Sequence, residues 1–128
     1  HEDSKHIIGI SIARSADVGE NAVKGYVDSY LVKNGIGNRN TIQINFIDKY
    51  TLDGYGNYNR TIIDAIRTVL IEDGVALDLI YTGKAFWGMT EYCKELEISG
   101  FNILFVHTGG TPLFFDNLRS ICEDEAPN

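Results

Sequence analysis

LFVHTGGTP, residues 104–112, runs an apolar stretch into a threonine, two glycines and a proline. A continuous apolar run suits a strand buried on both faces, and proline suits a first helical turn. The segment therefore reads as strand, tight turn, helix. Strands that lead directly into helices pair in parallel and build an α/β layer architecture. A second stretch, IYTGKAFWGM at residues 80–89, also sets a hydroxyl beside a glycine at the mouth of a helix.

Working outward, HIIGISIAR (6–14), TIQINFI (41–47) and FNILFVH (101–107) read as three strands. The spacing of Val23, Tyr26, Val27, Tyr30 and Leu31 predicts an amphipathic helix over 18–33, with Ser15, Ala16 and Asp17 at its capping end. NGIGNRN (34–40) stops it. Ile62, Ala65, Ile66, Val69 and Leu70 predict a helix over 61–72, ended by Asp73-Gly74. Residues 75–80 read as extended or turn-like. Further helices are expected over 84–97 and 112–118. The expected fold is a three-layer α/β/α arrangement with a short, mostly parallel sheet. A sheet this thin is either minimal or part of something larger.

The chain has 128 residues, one domain's worth, read here as a single α/β domain over 1–128. Its apolar fraction of 44% and charged fraction of 23% are those of an ordinary globular protein. A net charge of −7 argues against a nucleic-acid backbone as partner and against a polybasic membrane anchor. No apolar run is long enough to span a bilayer, and the polar start HEDSKH does not read as a signal peptide. Cys93 and Cys122 form no C-x-x-C pair and fit reduced thiols, so a cytoplasmic setting is expected. His1, His6 and His107 lack metal-ligand spacing, and no metal is expected. The acidic tail CEDEAPN (122–128) is expected to fray.

The turns carry the chemistry. A glycine at a helix start lets backbone N–H groups approach a ligand, and the helix dipole favours negative charge there. Ligands of open α/β sheets sit beyond the carboxyl ends of the strands, where His107-Thr108-Gly109-Gly110 falls. By itself that turn is equally a plain tight turn, and Thr82 of Tyr81-Thr82-Gly83 is equally a helix N-cap. Tyr55, between Gly54 and Gly56, has little local packing, so its ring must rest on something distant or on a ligand. Lys84 stands beside a helix N-terminus, the wrong end for a cation; a solvated side chain is the simpler expectation there, an anionic neighbour the alternative.

Three segments, DGYG (53–56), LDLIYTGKAFWGM (77–89) and ILFVHTGGTPLFF (103–115), together resemble one family. It is that of the pyridoxal-phosphate enzymes D-cysteine desulfhydrase and 1-aminocyclopropane-1-carboxylate deaminase, of the tryptophan-synthase-β-like fold type II. IIGISIARS (7–15) fits as well, so the resemblance runs over nearly the whole chain. It implies an incomplete, C-terminal portion of the family's large domain. The family's Schiff-base lysine, asparagine segment and Ser/Gly-rich phosphate loop lie upstream of the part that matches, and none of the six lysines here has the surroundings of that lysine. Where the family commonly has Asp-Pro-Val, this chain has Asp78-Leu79-Ile80, which frees the backbone at Leu79.

The resemblance implies roles. Tyr55 and Tyr81 match active-site tyrosines near the substrate. Thr82 replaces the glutamate of the deaminase branch, Gly83 follows it, Thr108 stands near the pyridine nitrogen, and Gly109 and Gly110 leave the ring room. A carboxylate beside that nitrogen would hold a proton there and deepen the electron sink; a threonine brings no charge. That leans towards α,β-elimination of a small amino acid bearing a thiol, giving pyruvate, ammonia and sulfide. Deaminase activity in the longer protein, or a non-catalytic interaction module on the same fold, are the alternatives. The expected associations are a homo-oligomer or a docked N-terminal half.

Overall fold

The computed structural model describes residues 6–37 and 44–123. The expectations placed on the N-terminal residues 1–5, on the start of the second strand at 41–43 and on the tail at 124–128 lie outside the described residues. Element order is β1 (Ile7–Ile10), α1 (Ala16–Lys33), β2 (Ile44–Ile47), α2 (Arg60–Asp73), α3 (Thr82–Glu95), α4 (Thr111–Asp116) and α5 (Leu118–Cys122).

β1 and β2 pair in parallel, Ile7 with Ile44 and Ile10 with Ile47. Neighbouring strand residues point to opposite faces, which makes Gly9 and Ile10 markers for the two sides. On the Gly9 side lies the Phe46 ring, and α1 closes on that ring so tightly that a methyl group at Gly19 would stand 2.1 Å from it. On the Ile10 side comes α3, where a methyl group at Gly88 would stand 2.7 Å from Ile10. Helices thus cover both faces, and the α/β layering with parallel pairing is the architecture found.

The third strand is not formed. Residues 101–107 form no regular element, and the sheet among the described residues has two strands. An apolar run becomes a strand only with a ladder partner. This one is held instead by side chains: Phe105 packs edge-on against Phe86 of α3 at 5.3 Å, and His107 Nε2 reaches the Ala76 carbonyl at 3.0 Å. Its other apolar side chains face outward.

Helix α1 starts two residues earlier than its spacing predicts, and its cap is remote. The Ser15 side chain makes no cap bond, and the Ala16 N–H donates to Asp48 Oδ2 at 2.8 Å from beyond β2. Tyr26 and Tyr30 face outward, while Gly19, Val23, Val27 and Leu31 form the inward stripe. The core lies around α2, whose Ile62, Ile63, Ile66 and Val69 pack with Leu77, Leu79, Phe114 and Ile121. Asn59 caps α2, accepting from the Ile62 N–H at 3.1 Å. The single helix expected at 112–118 is broken at Asn117 into α4 and α5, and Arg67 of α2 donates to the Ile121 carbonyl across that gap.

Candidate functional site

Asp78 builds the site, and it does so from inside. It is fully buried. Its Oδ1 accepts from the backbone N–H of Ile80 at 2.9 Å and of Tyr81 at 2.7 Å. Its Oδ2 accepts from the Thr82 N–H at 3.0 Å and from the Thr82 hydroxyl at 2.6 Å. Four donors saturate a carboxylate. They also settle N–H groups that a helix start leaves without partners, in a place where the helix dipole favours negative charge. Asp78, not Thr82, therefore caps α3; Thr82 is the first helical residue and Tyr81 the residue before it. With Leu79 buried and the carboxylate locked on three backbone amides, the turn does not need the proline that the family carries there.

The same carboxylate meets the second turn. Gly110 precedes α4 with φ of 94°, and a methyl group there would fall 2.2 Å from Asp78 Oδ2. Only glycine combines that backbone angle with that approach. His107 steadies the turn from the other side, because its Nδ1 accepts from the Gly109 N–H at 3.2 Å while its Nε2 meets the Ala76 carbonyl. Those two bonds require the neutral tautomer protonated on Nε2.

Between the turns is an open hollow of about 440 Å³, lined by Tyr81, Thr108, Gly109, Gly110, Pro112 and Leu113. Tyr55 stands at its rim through Tyr81: the two hydroxyls lie 2.7 Å apart and the rings meet edge-on at 5.8 Å. So the distant support that Tyr55 requires is Tyr81. The Tyr81 phenol keeps its proton above the ordinary range, chiefly through the hydrogen bond to Tyr55, with burial, the charge on Tyr55 and the Asp78 charge adding. Either hydroxyl can be the donor in that bond.

Of the seven residues expected to act, Tyr81, Thr108, Gly109 and Gly110 line the hollow and Tyr55 touches it through Tyr81. Thr82 and Gly83 do not line it. The Thr82 hydroxyl is spent on Asp78, also accepting from the Asp78 N–H at 2.9 Å. Gly83 is buried, and a methyl group there would strike Ile66 and the Asp78 carbonyl, so its task is packing. Lys84 is not solvated. It is fully buried, and its ammonium donates to the carbonyls of Ile12, Thr51 and Gly54 at 3.2, 2.9 and 2.8 Å. Burial pushes its pKa down.

Helices over both faces of a parallel pair, with two hydroxyl-bearing turns meeting around one hollow at helix mouths, define an α/β protein with a candidate small-molecule site. Sequence and backbone then agree on the likeness: over most of its own length the chain is similar to one part of the 1-aminocyclopropane-1-carboxylate deaminase and D-cysteine desulfhydrase proteins. A Pyrococcus abyssi protein with a provisional 1-aminocyclopropane-1-carboxylate deaminase name is 31% identical over 109 residues, which are 85% of this chain and 32% of that one. D-cysteine desulfhydrase of Salmonella newport is 32% identical over 110 residues, 85% of this chain and 33% of that one. The crystal structure of an ACC deaminase homologue superposes with a TM-score of 0.72 at 26% identity, covering 89% of this chain and 34% of that one. No protein-family model matches the chain. The chain spans about one third of the length of the curated relatives it matches.

Proposed function

We propose that the chain is part of a pyridoxal-phosphate-dependent lyase of D-cysteine desulfhydrase type. It would act on a small amino acid with a thiol at the β-carbon, taking up water and releasing pyruvate, ammonia and sulfide. The observation that carries this is the shared hollow: Tyr81, Thr108 and Gly109, which the resemblance assigns to substrate and cofactor, line it together. A threonine at position 82, where the deaminase branch has glutamate, favours the desulfhydrase over the deaminase. A threonine there brings no charge, and its hydroxyl is committed to Asp78 rather than to the hollow.

The lining suits a flat heteroaromatic ring. Pro112 and Leu113 offer apolar surface, Thr108 one hydroxyl, and Gly109 open space with no atom within 4 Å of where a side chain would begin. No lysine or arginine lines the hollow among the described residues. We therefore assign the phosphate contacts and the covalent lysine to parts of the relatives' length that this chain does not span. Pyridoxal phosphate, when bound, supplies an electron sink for the bonds at the substrate α-carbon. Thr108 would offer a neutral hydrogen bond to the ring nitrogen. Tyr81, with its proton held, is not a base at neutral pH; its hydroxyl would orient substrate, and Tyr55 fixes its direction.

The test uses a full-length protein containing this chain, loaded with pyridoxal phosphate and offered D-cysteine and 1-aminocyclopropane-1-carboxylate in parallel. Sulfide release should exceed ring-opened 2-oxo acid, and Tyr81→Phe should lower kcat at least about tenfold. Preferential turnover of the cyclopropane would overturn the assignment.

A further inference from the structure

Lys84 offends two rules at once. Its charge sits in the first turn of α3, where the dipole is unfavourable, and its side chain is fully buried. Among the described residues no carboxylate meets it; its three partners are backbone carbonyls from two separate segments. One, Ile12, follows β1. The others, Thr51 and Gly54, bracket a turn in which Leu52, Asp53 and Gly54 have φ of 49°, 61° and 126°. Left-handed backbone at two non-glycine residues is strained and persists only where surroundings enforce it. The carbonyls that Lys84 grips stand at both ends of that strained stretch, and the next residue is Tyr55.

We propose that Lys84 is a positioning residue: its ammonium acts as an internal cation that clamps the 51–54 loop to the β1 end and so sets the Tyr55 hydroxyl on Tyr81. The ammonium has three donors and meets three acceptors, so the clamp is saturated. The role does not depend on which cofactor or substrate the hollow takes.

Tyrosine ring-carbon NMR reads it directly. In the 128-residue chain, Lys84→Met keeps the side chain's length and removes its charge. Tyr81, freed of Tyr55, should then titrate back in the ordinary phenol range while helix content is unchanged. In Lys84→Ala, n-propylammonium replaces the missing atoms and should restore the raised Tyr81 titration, or the fold itself if that variant does not fold alone. 1-Propanol, of similar shape without charge, should restore neither. Tyr81 titrating as in the parent chain in folded Lys84→Met would overturn the proposal. So would n-propylammonium rescuing no better than 1-propanol.

Discussion

At the scale of single residues, Asp78 has no spare capacity, and that makes its substitutions informative. Asp78→Asn turns one acceptor oxygen into a donor facing the Thr82 amide and hydroxyl, and should cost about 2–3 kcal/mol in urea unfolding. Gly110→Ala meets both a forbidden approach to Asp78 and a left-handed backbone, and should cost about 1–3 kcal/mol in the same measurement. Both variants should loosen the hollow without touching its open side. The two hydroxyl–glycine turns were legible because threonine, glycine and proline are strong local punctuation. Asp78 was not, because one aspartate between two leucines reads as an ordinary turn residue until its four donors are seen. Lys84 was misread for a related reason: a lysine near a helix start is usually solvated, and only tertiary contacts reveal three carbonyls closing on it.

Between elements, the end of α3 is tied to the segment after β2 by one carboxylate. Glu95 Oε2 accepts from Lys49 at 2.7 Å and from Tyr50 at 3.0 Å, which, the Lys49 bond foremost, holds the Glu95 carboxyl below its ordinary range. Tyr50 is buried, and burial first, then the Glu95 bond, push its phenol up to about 12. An unfolded tyrosine titrates near 10. The contribution of Tyr50 to stability is therefore constant below about pH 10 and is lost as pH rises from about 10 to about 12. Urea midpoints of the parent chain minus those of Tyr50→Phe should show that decline and no slope near neutrality. At the other helix, Asn59→Ala removes the α2 cap and should cost about 1 kcal/mol. The existence of α2 followed from apolar spacing, because it buries one stripe through Ile62, Ile66 and Val69. Caps did not: Asp48 serves α1 from across the β-pair, a contact no local pattern contains.

For the molecule as a whole, the unpaired 101–107 segment is the feature that needs a partner. Phe101, Leu104 and Val106 are 77, 87 and 69% exposed on a segment that has no ladder partner among the described residues. Such a segment invites pairing. In light scattering the 128-residue chain should associate as its concentration rises, and Leu104→Lys with Val106→Lys should suppress that association. The run was legible as apolar, but strand formation depends on a neighbour, and that is not a property of the run itself. The most direct measurement bears on the hollow: titrate a full-length protein containing this chain with pyridoxal phosphate, and follow visible absorption in the parent and in Thr108→Phe, whose ring would fill the space beside Gly109. Saturable binding at one cofactor per chain, weakened at least about tenfold by Thr108→Phe (about 1.4 kcal/mol), is the predicted result. No binding, or binding indifferent to Thr108→Phe, would contradict a cofactor seated between the two turns.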